Sequence, residues 1–307
     1  MPTQAEIRQS ITQQIIDGID AGVRPWVKPW VTTGSGGPPC NAETGKNYSG
    51  VNPLILNLHN HRHGHTSRFF GTYRQWQKLG GQVRRRPKNV KSGQWGAKII
   101  FCRPITKEEI VKGVEVEKTF FMLKEYSVFG IDQVDGEHLD FLRYQEPTTS
   151  EEPLVTYEQF DDMVTATEAD IRHGGNQCFY QLKEDYIQMP HRQQFSGSSY
   201  AESLAHELGH WSEADHRLDR EEMADKDEYA FSELVAEISA CYVCSELGVS
   251  LGHGFGNHAS YVAHWLKALR NDPSFIFKAS NKASRVSDFL LSFQKEPIEN
   301  EESAVVA

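Results

Sequence analysis

The chain has 307 residues, of which 38% are hydrophobic and 24% are charged, a composition typical of soluble globular proteins and a length that accommodates two domains. It contains no apolar run of about 20 residues, so we expect no membrane span, and its first residues lack the layout of a signal peptide. The five sparse cysteines predict free thiols in a reducing cytoplasm.

The net charge of −10 hides a division between the two halves of the chain. Residues 1–130 contain 19 Lys and Arg against 9 Asp and Glu, whereas residues 131–307 contain 13 against 33. Cationic surfaces bind polyanions by releasing counterions, and acidic ones attract cations. We therefore expect an N-terminal domain that binds a polyanion such as nucleic acid and a C-terminal domain that binds cations, either a metal ion or basic peptides.

Residue patterns predict mixed helices and strands in the first half. Ile7, Ile11, Ile15 and Ile19 recur at the spacing of an amphipathic helix. In chain order, we predict a helix over 5–21, an irregular Gly/Pro loop over 34–39, helices over 48–60 and 72–79, and strands over 97–102 and 119–128 with a charged hairpin loop at 107–118. His59, His61, His63 and His65 alternate in a way that favours a polar turn over a metal site.

The second half is predicted to be mainly helical with a small sheet. We predict helices over 157–173, 198–214, 227–247 and 258–270, and strands over 178–182 and 185–189. The fold class is therefore α+β in two domains. We assign residues 1–131 to a mixed α/β nucleic-acid-binding domain, 132–153 to a linker, 154–295 to a second domain, and 296–307 to a disordered acidic tail.

The pentapeptide His206-Glu207-Leu208-Gly209-His210 matches H-E-x-x-H. On a helix, positions i and i+4 share one face, so His206 and His210 can bind a single metal ion. Glu207 lies where it can accept a proton from a water molecule at the metal. This pattern predicts one Zn²⁺ per chain and Glu207 as the general base.

A catalytic zinc requires a third protein ligand, and the sequence offers three candidates. His216 has the spacing of the metzincin motif, but Glu213 occupies the position where that motif needs glycine. Glu233 lies on the next predicted helix and is followed one turn later by Glu237, as in gluzincins. We favour Glu233 as the ligand and Glu237 as the support of a ligand imidazole; Glu237 and His216 remain alternative ligands. His216, Arg217 and Tyr229 are candidate oxyanion donors.

Basic and aromatic residues alternate along the first domain. Proteins hold single strands with cations along the backbone and flat rings on which bases stack, so this mixture favours single-stranded over duplex DNA. Core packing is the competing explanation for the rings. The candidate contacts are Trp26, Lys28, Trp30, Lys46, Tyr48, Arg68, Phe70, Tyr73, Trp76, Lys78, Arg84, Arg85, Arg86, Lys88 and Trp95.

Seven segments, spread over almost the whole chain, follow one another in the order found in a known protein family. The segments are Trp26 to Trp30, Asn41 to Leu54, Thr72 to Trp76, Leu79 to Gly81, His206 to Trp211, Arg217 to Arg220 and Glu233 to Glu237. In these segments the chain resembles the ArdC-type antirestriction proteins of conjugative plasmids, which share their N-terminal domain with TraC-type primases. It departs from them directly after the H-E-x-x-H motif, where this chain has Trp211-Ser212-Glu213-Ala214 and family members often have Trp-Thr-Gly-His.

The resemblance implies a single-stranded-DNA-binding domain, a zincin-like metallopeptidase domain, and protection of incoming plasmid DNA from restriction during conjugation. Two other functions remain open. The first is a shield of single-stranded DNA without enzymatic activity, whose metal is structural. The second is a DNA-tethered protease that cleaves host proteins bound or crosslinked to the DNA. The sequence leaves open whether proteolysis is required.

Overall fold

The computed structural model describes residues 2–27, 37–111, 114–143, 157–218, 228–251 and 259–294. Its helices are α1 (Gln4–Asp20), α2 (Asn52–His63), α3 (Tyr73–Lys78), α4 (Glu158–Ala166), α5 (Ser199–Ser212), α6 (Glu228–Glu246), α7 (Ala259–Asn271) and α8 (Phe275–Leu291). Its strands are β1 (Cys40–Asn41), β2 (Phe69–Gly71), β3 (Gln82–Val83), β4 (Ala97–Val111), β5 (Val114–Gly130), β6 (Val134–Asp135), β7 (Asp170–His173), β8 (Phe179–Gln181) and β9 (Tyr186–Met189). Two short 3-10 turns, Ile131–Gln133 and Glu137–Leu142, flank β6.

Helix α1 begins at a reciprocal cap. The Thr3 hydroxyl accepts a hydrogen bond from the backbone N–H of Glu6, and the Glu6 carboxylate accepts one from the backbone N–H of Thr3. Four isoleucines at helical spacing are buried on its inner face: Ile7, Ile11, Ile15 and Ile19. The cap and the apolar face together explain why the predicted first helix forms.

A four-stranded sheet in the order β1-β2-β5-β4 forms the centre of the first domain. Strands β4 and β5 form a long antiparallel hairpin, paired from Ala97–Val128 to Val111–Val114. The prediction of a loop at 107–118 is therefore wrong apart from residues 112–113, which lie outside the described part. Thr, Val and Ile, which favour strands, recur among the charged residues of this segment.

The first half of the predicted linker packs against the N-terminal domain. Ile131, Val134, Leu139 and Leu142 form a small core with Trp76. The prediction of a linker is thus corrected for residues 132–143, because apolar side chains at these positions are buried. Residues 144–153 and the predicted tail at 296–307 lie outside the described residues, and the domain boundaries stay predictions.

The second domain consists of helices beside a three-stranded sheet in the order β7-β9-β8. The helix predicted over 157–173 ends at Ala166, and β7 begins at Asp170. Glu168 between them has a φ of 55°, a left-handed conformation that a helix cannot continue through. Helix α8, which packs against α5 and α6, was missed from the sequence.

The two domains share one hydrophobic core. Helices α1 and α2 of the first domain contribute to the same buried cluster as α5, α6 and α8 of the second. Polar bonds cross the boundary as well: the Thr12 hydroxyl donates to the Pro273 carbonyl at 2.8 Å, and the Tyr242 hydroxyl donates to the Gly50 carbonyl at 2.9 Å. Among the described helices, none combines the length and apolar character that a membrane crossing requires.

Candidate metal centre and nucleic-acid interface

Helices α5 and α6 lie close together where the candidate ligands occur. A Cβ added to Gly209 would lie 3.0 Å from the Cα of Ala236 and 3.0 Å from the Oγ of Ser239. A glycine at this position therefore permits the backbones of the two helices to approach. This approach brings the histidines of α5 opposite the glutamates of α6.

His206, His210 and Glu233 form a compact group of donor atoms. Their ligand atoms lie within 4.8 Å of one another. The two Nε2 atoms are 3.2 Å apart, His206 Nε2 is 3.4 Å from Glu233 Oε2, and His210 Nε2 is 3.6 Å from Glu233 Oε1. Ligands about 2.1 Å from a tetrahedral metal lie roughly 3.4 Å from each other, so this donor set fits a divalent ion.

His206 and Glu233 stabilise each other's charged forms. Burial acts to lower the pKa of His206, but the carboxylates of Glu233 and Glu237 outweigh burial and raise it to about 10. Burial acts to raise the pKa of Glu233, and its contacts with His206 and His210 nevertheless hold that pKa well below its usual range. The imidazole of His206 and the carboxylate of Glu233 therefore attract each other within the group.

Glu207 is buried beside this group, at 7% exposure. Burial raises the pKa of its carboxyl above the usual value, opposed by the nearby His206 and His210 and by a hydrogen bond from the backbone of Tyr180 on β8. A carboxylate with a raised pKa accepts protons more readily, as a general base requires. No pattern in the sequence indicates that an edge strand would contact this side chain.

The side of His206 away from Glu233 faces a buried network that includes the first domain. His206 Nδ1 is 3.8 Å from Glu237 Oε2. The other oxygen of Glu237 accepts hydrogen bonds from Arg24 at 2.5 Å and from the indole N–H of Trp26 at 2.8 Å. Arg24 also pairs with Glu202 of α5 at 2.8 Å. Residues that precede β1 thus hold the carboxylate behind a candidate metal ligand.

His210 has a second support. Its Nδ1 lies 3.3 Å from the Ser232 hydroxyl, and that hydroxyl donates to Glu213 Oε2 at 3.0 Å. We assign the Nδ1 proton to His210, because the serine proton is used by Glu213; Nε2 is then left with its lone pair. Glu213 is buried and also pairs with Lys282 of α8 at 3.5 Å. The residue that replaces the metzincin glycine therefore belongs to the support of His210.

The alternative ligand His216 lies outside the donor group. Its side chain is 63% exposed and its Nε2 is 3.3 Å from Asp185 Oδ2. Arg217, a candidate oxyanion donor, makes two hydrogen bonds to Asp185 and lies over the ring of Trp211. Tyr229 is exposed and its hydroxyl is 3.1 Å from that of Tyr261; this hydrogen bond, burial and the charge of Glu233 raise its pKa.

Three rings predicted to stack on DNA bases are instead buried. Trp26, Phe70 and Trp76 are at most 2% exposed. The indole N–H of Trp26 bonds to Glu237 and that of Trp76 to the Phe129 carbonyl. For these three residues the prediction of DNA contacts is wrong, because their faces are covered by the core. Lys28 and Trp30 lie outside the described residues.

The remaining candidates lie at or near the surface. Tyr48 is half-buried beside Asn41, and burial raises its pKa to about 12; Trp95 and Arg68 are also half-buried. Lys78 pairs with Glu43 and Arg84 pairs with Asp135. The candidates that are exposed are Lys46, Tyr73, Lys78, Arg84, Arg85, Arg86 and Lys88.

A His-Glu-x-x-His helix, a glutamate on the following helix and a strand against the glutamate of the motif define a zincin-like metal-binding protein. The zincin-like metallopeptidase family MPTase-PolyVal matches residues 158–282, and the N-terminal domain of anti-restriction factor ArdC matches residues 5–129. The chain belongs to the family of ArdC-type antirestriction proteins, as its sequence resemblance implied.

Relatives match this chain over most of its length. The metal-free crystal structure of antirestriction protein ArdC from plasmid R388 is 34% identical, with a TM-score of 0.74, and the match covers 94% of this chain and 97% of that one. The Mn(II)-bound structure of that protein gives a TM-score of 0.69. The uncharacterized protein y4eC of Sinorhizobium fredii is 33% identical over 86% of this chain and 84% of its own. A TraC DNA primase of Escherichia coli is 34% identical over 86% of this chain, which spans only 25% of the primase.

Proposed function

We propose that this antirestriction protein binds single-stranded DNA through its first domain and hydrolyses peptide bonds at a zinc site in its second. In this role it protects incoming plasmid DNA from restriction during conjugation. The observation that carries the enzymatic part is the buried Glu207 carboxylate beside the group formed by His206, His210 and Glu233.

The donor set supports Zn²⁺, one ion per chain. Two imidazoles and one carboxylate are the protein ligands of several hydrolytic zinc enzymes, which leave a further position open. His206, His210 and Glu233 would hold the ion. When bound, it supplies Lewis-acid catalysis. Glu237 and Ser232 fix the two imidazole rings through the contacts described above.

The protein's own residues account for the proton transfers. Glu207 accepts a proton from the attacking water and returns it to the leaving amine. Its raised pKa favours both transfers, because the group must be a base in one and an acid in the other. Tyr229 is the best-placed oxyanion donor of the three candidates, because it interacts with the candidate ligand Glu233, whereas Arg217 and His216 contact Asp185.

Substitution Glu207→Gln tests the enzymatic part. It keeps the shape of the side chain and removes the base, so zinc content should be unchanged while cleavage of fluorescent casein falls at least a hundredfold. Glu246→Gln, at the far end of α6, is the matched control and should leave cleavage intact. Wild-type cleavage by Glu207→Gln would exclude a catalytic role for this carboxylate.

The same variant separates this function from a shield without enzymatic activity. The second candidate is favoured by one observation, the link from the metal centre through Glu237 to Arg24 and Trp26 of the first domain, which suits a structural metal. If plasmid transfer into a restricting host is as efficient with Glu207→Gln as with the wild type, the shield is the correct function.

The DNA-binding part is supported by the exposed cations between β3 and β4. Arg85, Arg86 and Lys88 extend from a turn that contains no acidic residue. We expect single-stranded oligonucleotides to bind with an affinity that falls steeply as salt increases. The double substitution Arg85→Gln, Lys88→Gln should lower the slope of log K against log salt by roughly 1.4. Equal affinity for duplex and single strand would contradict this part of the proposal.

A further inference from the structure

The β4–β5 hairpin exposes aromatic rings that the sequence analysis did not single out. Phe101 is 57% exposed, Met122 41% and Tyr126 37%. Phe101 lies opposite Lys124 and Ile99 lies opposite Tyr126, so these side chains occupy one face of the hairpin. The Phe101 and Tyr126 rings meet edge to face at 6.4 Å, and Lys124 Nζ lies 5.2 Å from the centre of the Tyr126 ring.

The opposite face of the same segment is anchored in the protein. Ile100 and Leu123 are buried in the main core. The side chain of Gln4 on α1 bonds to both backbone groups of Leu123, at 2.9 Å and 2.7 Å. The exposed rings therefore lie on a supported segment of the sheet, and their exposure is a property of the fold.

The described side chains of this segment differ in charge between the two rows of alternate positions. The row that contains Phe101 and Tyr126 carries one described charge, the cation Lys124. The other row carries Lys98 and Glu125, whose charges offset each other.

We infer that the face bearing Phe101, Lys124 and Tyr126 is a stacking platform for the bases of a single-stranded nucleic acid. Flat rings accept any base, and a cation beside them pairs with the phosphate backbone. The exposed cation Lys124 beside the rings favours a polyanion over an apolar protein partner. This inference rests on the proposed DNA-binding function and gives it a location apart from the basic turn before β4.

The test is the affinity of the full chain for fluorescein-labelled oligo(dT) of 20 nucleotides, measured by anisotropy. Phe101→Ala and Tyr126→Ala should each weaken binding about tenfold, within the range known for loss of one stacking ring. Tyr126→Phe keeps the ring and should bind as the wild type does. Phe141→Ala removes another ring, 73% exposed and outside the hairpin, and should also leave binding unchanged.

Lys124→Gln provides an independent measurement. It should lower the slope of log K against log salt by roughly 0.7, the value for one contact with a single-stranded phosphate. The melting temperature of each variant should equal that of the wild type, because all three side chains point to water. A variant that melts early is replaced by Phe101→Leu or Tyr126→Leu, which keep most of the apolar volume, remove the flat ring and should weaken binding to a similar extent.

The possible failures are distinguishable. If the wild type does not bind oligo(dT), the proposed DNA-binding function fails and the platform fails with it. If the wild type binds and Phe101→Ala and Tyr126→Ala bind equally well, the platform alone is overturned. Loss of binding in Tyr126→Phe as severe as in Tyr126→Ala would overturn stacking as the mode of contact.

Discussion

His59 lies where water cannot solvate a charged imidazole. It is 4% exposed, its Nε2 is 3.3 Å from Gln133 Oε1, and the rings of His63 and His65 lie 4.5 Å and 5.9 Å away. Burial and then the neighbouring His63 lower its pKa to about 3. The alternating histidines therefore include a neutral core residue, and the prediction of a polar turn is wrong for His59.

This burial makes stability depend on pH. The unfolded chain binds a proton at His59 near pH 6.5, whereas the folded chain binds it only near pH 3. The contribution of neutral His59 is therefore complete above pH 6.5 and is lost as pH falls towards 3, with about 2 kcal/mol lost by pH 5. Urea unfolding of His59→Gln should show a smaller loss between pH 7.5 and 5, by roughly that amount.

His61→Gln is the matched control, because His61 is exposed on the same helix. Its loss of stability between pH 7.5 and 5 should equal that of the wild type. His63 and His65 are retained in both variants, so their own titration cancels. If His59→Gln loses as much stability as the wild type, burial of neutral His59 is not a source of acid sensitivity.

For single residues, the helix face could be predicted from the sequence, but the burial of an aromatic ring could not. The spacing of His206 and His210 fixes which helix face they share, and the structure places Glu233 beside them. Trp26, Phe70 and Trp76 were predicted as DNA contacts because they stand near cations in the sequence. Exposure depends on tertiary packing, however, and neighbours along the chain do not determine which ring faces the core.

At the scale of elements, the contact between α5 and α6 assembles the site. Gly209 contacts α6 so closely that a methyl group would lie 3.0 Å from the Cα of Ala236. Any separation of the helices moves His206 and His210 away from Glu233. Gly209 lies within one helical turn of both His206 and His210.

Gly209→Ala tests this contact. Crowding at the interface costs about 1–3 kcal/mol, and alanine recovers up to about 1 kcal/mol of helix propensity. We expect a net loss of about 1 kcal/mol in the free energy of unfolding and weaker zinc binding. Thermal melts with and without zinc measure both effects. If Gly209→Ala is more stable than the wild type, the interface between α5 and α6 accommodates a methyl group without strain.

Helices with strong apolar periodicity were predictable from the sequence, and elements set by long-range contacts were not. Helices α1, α5 and α6 were predicted within a few residues of their bounds. The ends of β4 and β5 were missed because a run of charged residues is typical of a loop. The pairing of the two strands, which the sequence does not reveal, extends the hairpin through these residues. Helix α8 was missed because Ser280 and Ser287 interrupt its apolar face, and both are buried in the contact of the helix with its neighbours.

At the scale of the whole molecule, the first domain contacts the residues behind the candidate metal centre of the second. Arg24 and Glu237 are both almost fully buried and lie 2.5 Å apart, with Glu202 completing the network. Glu237 in turn faces His206. A buried charge without its partner is costly, so the two domains depend on each other for a stable site.

Arg24→Ala should lower the free energy of unfolding by about 3–5 kcal/mol, because Glu237 would be left as an unpaired buried charge. It should also reduce the rise in melting temperature that zinc produces. Arg270→Ala is the control: Arg270 and Asp20 also pair across the domains at 2.9 Å, but both are exposed. Arg270→Ala should lower the free energy of unfolding by no more than about 1 kcal/mol. If the two variants lose equal amounts, the buried pair of Arg24 and Glu237 does not stabilise the contact between the domains.

We propose that His206, His210 and Glu233 are the three protein ligands of one zinc ion. Calorimetric titration with Zn²⁺ tests it most directly, with wild-type protein, Glu233→Gln and His216→Ala compared at one pH. We predict one site per chain in the wild type, at least tenfold weaker binding in Glu233→Gln, and unchanged binding in His216→Ala. Unchanged affinity in Glu233→Gln together with loss in His216→Ala would contradict the account.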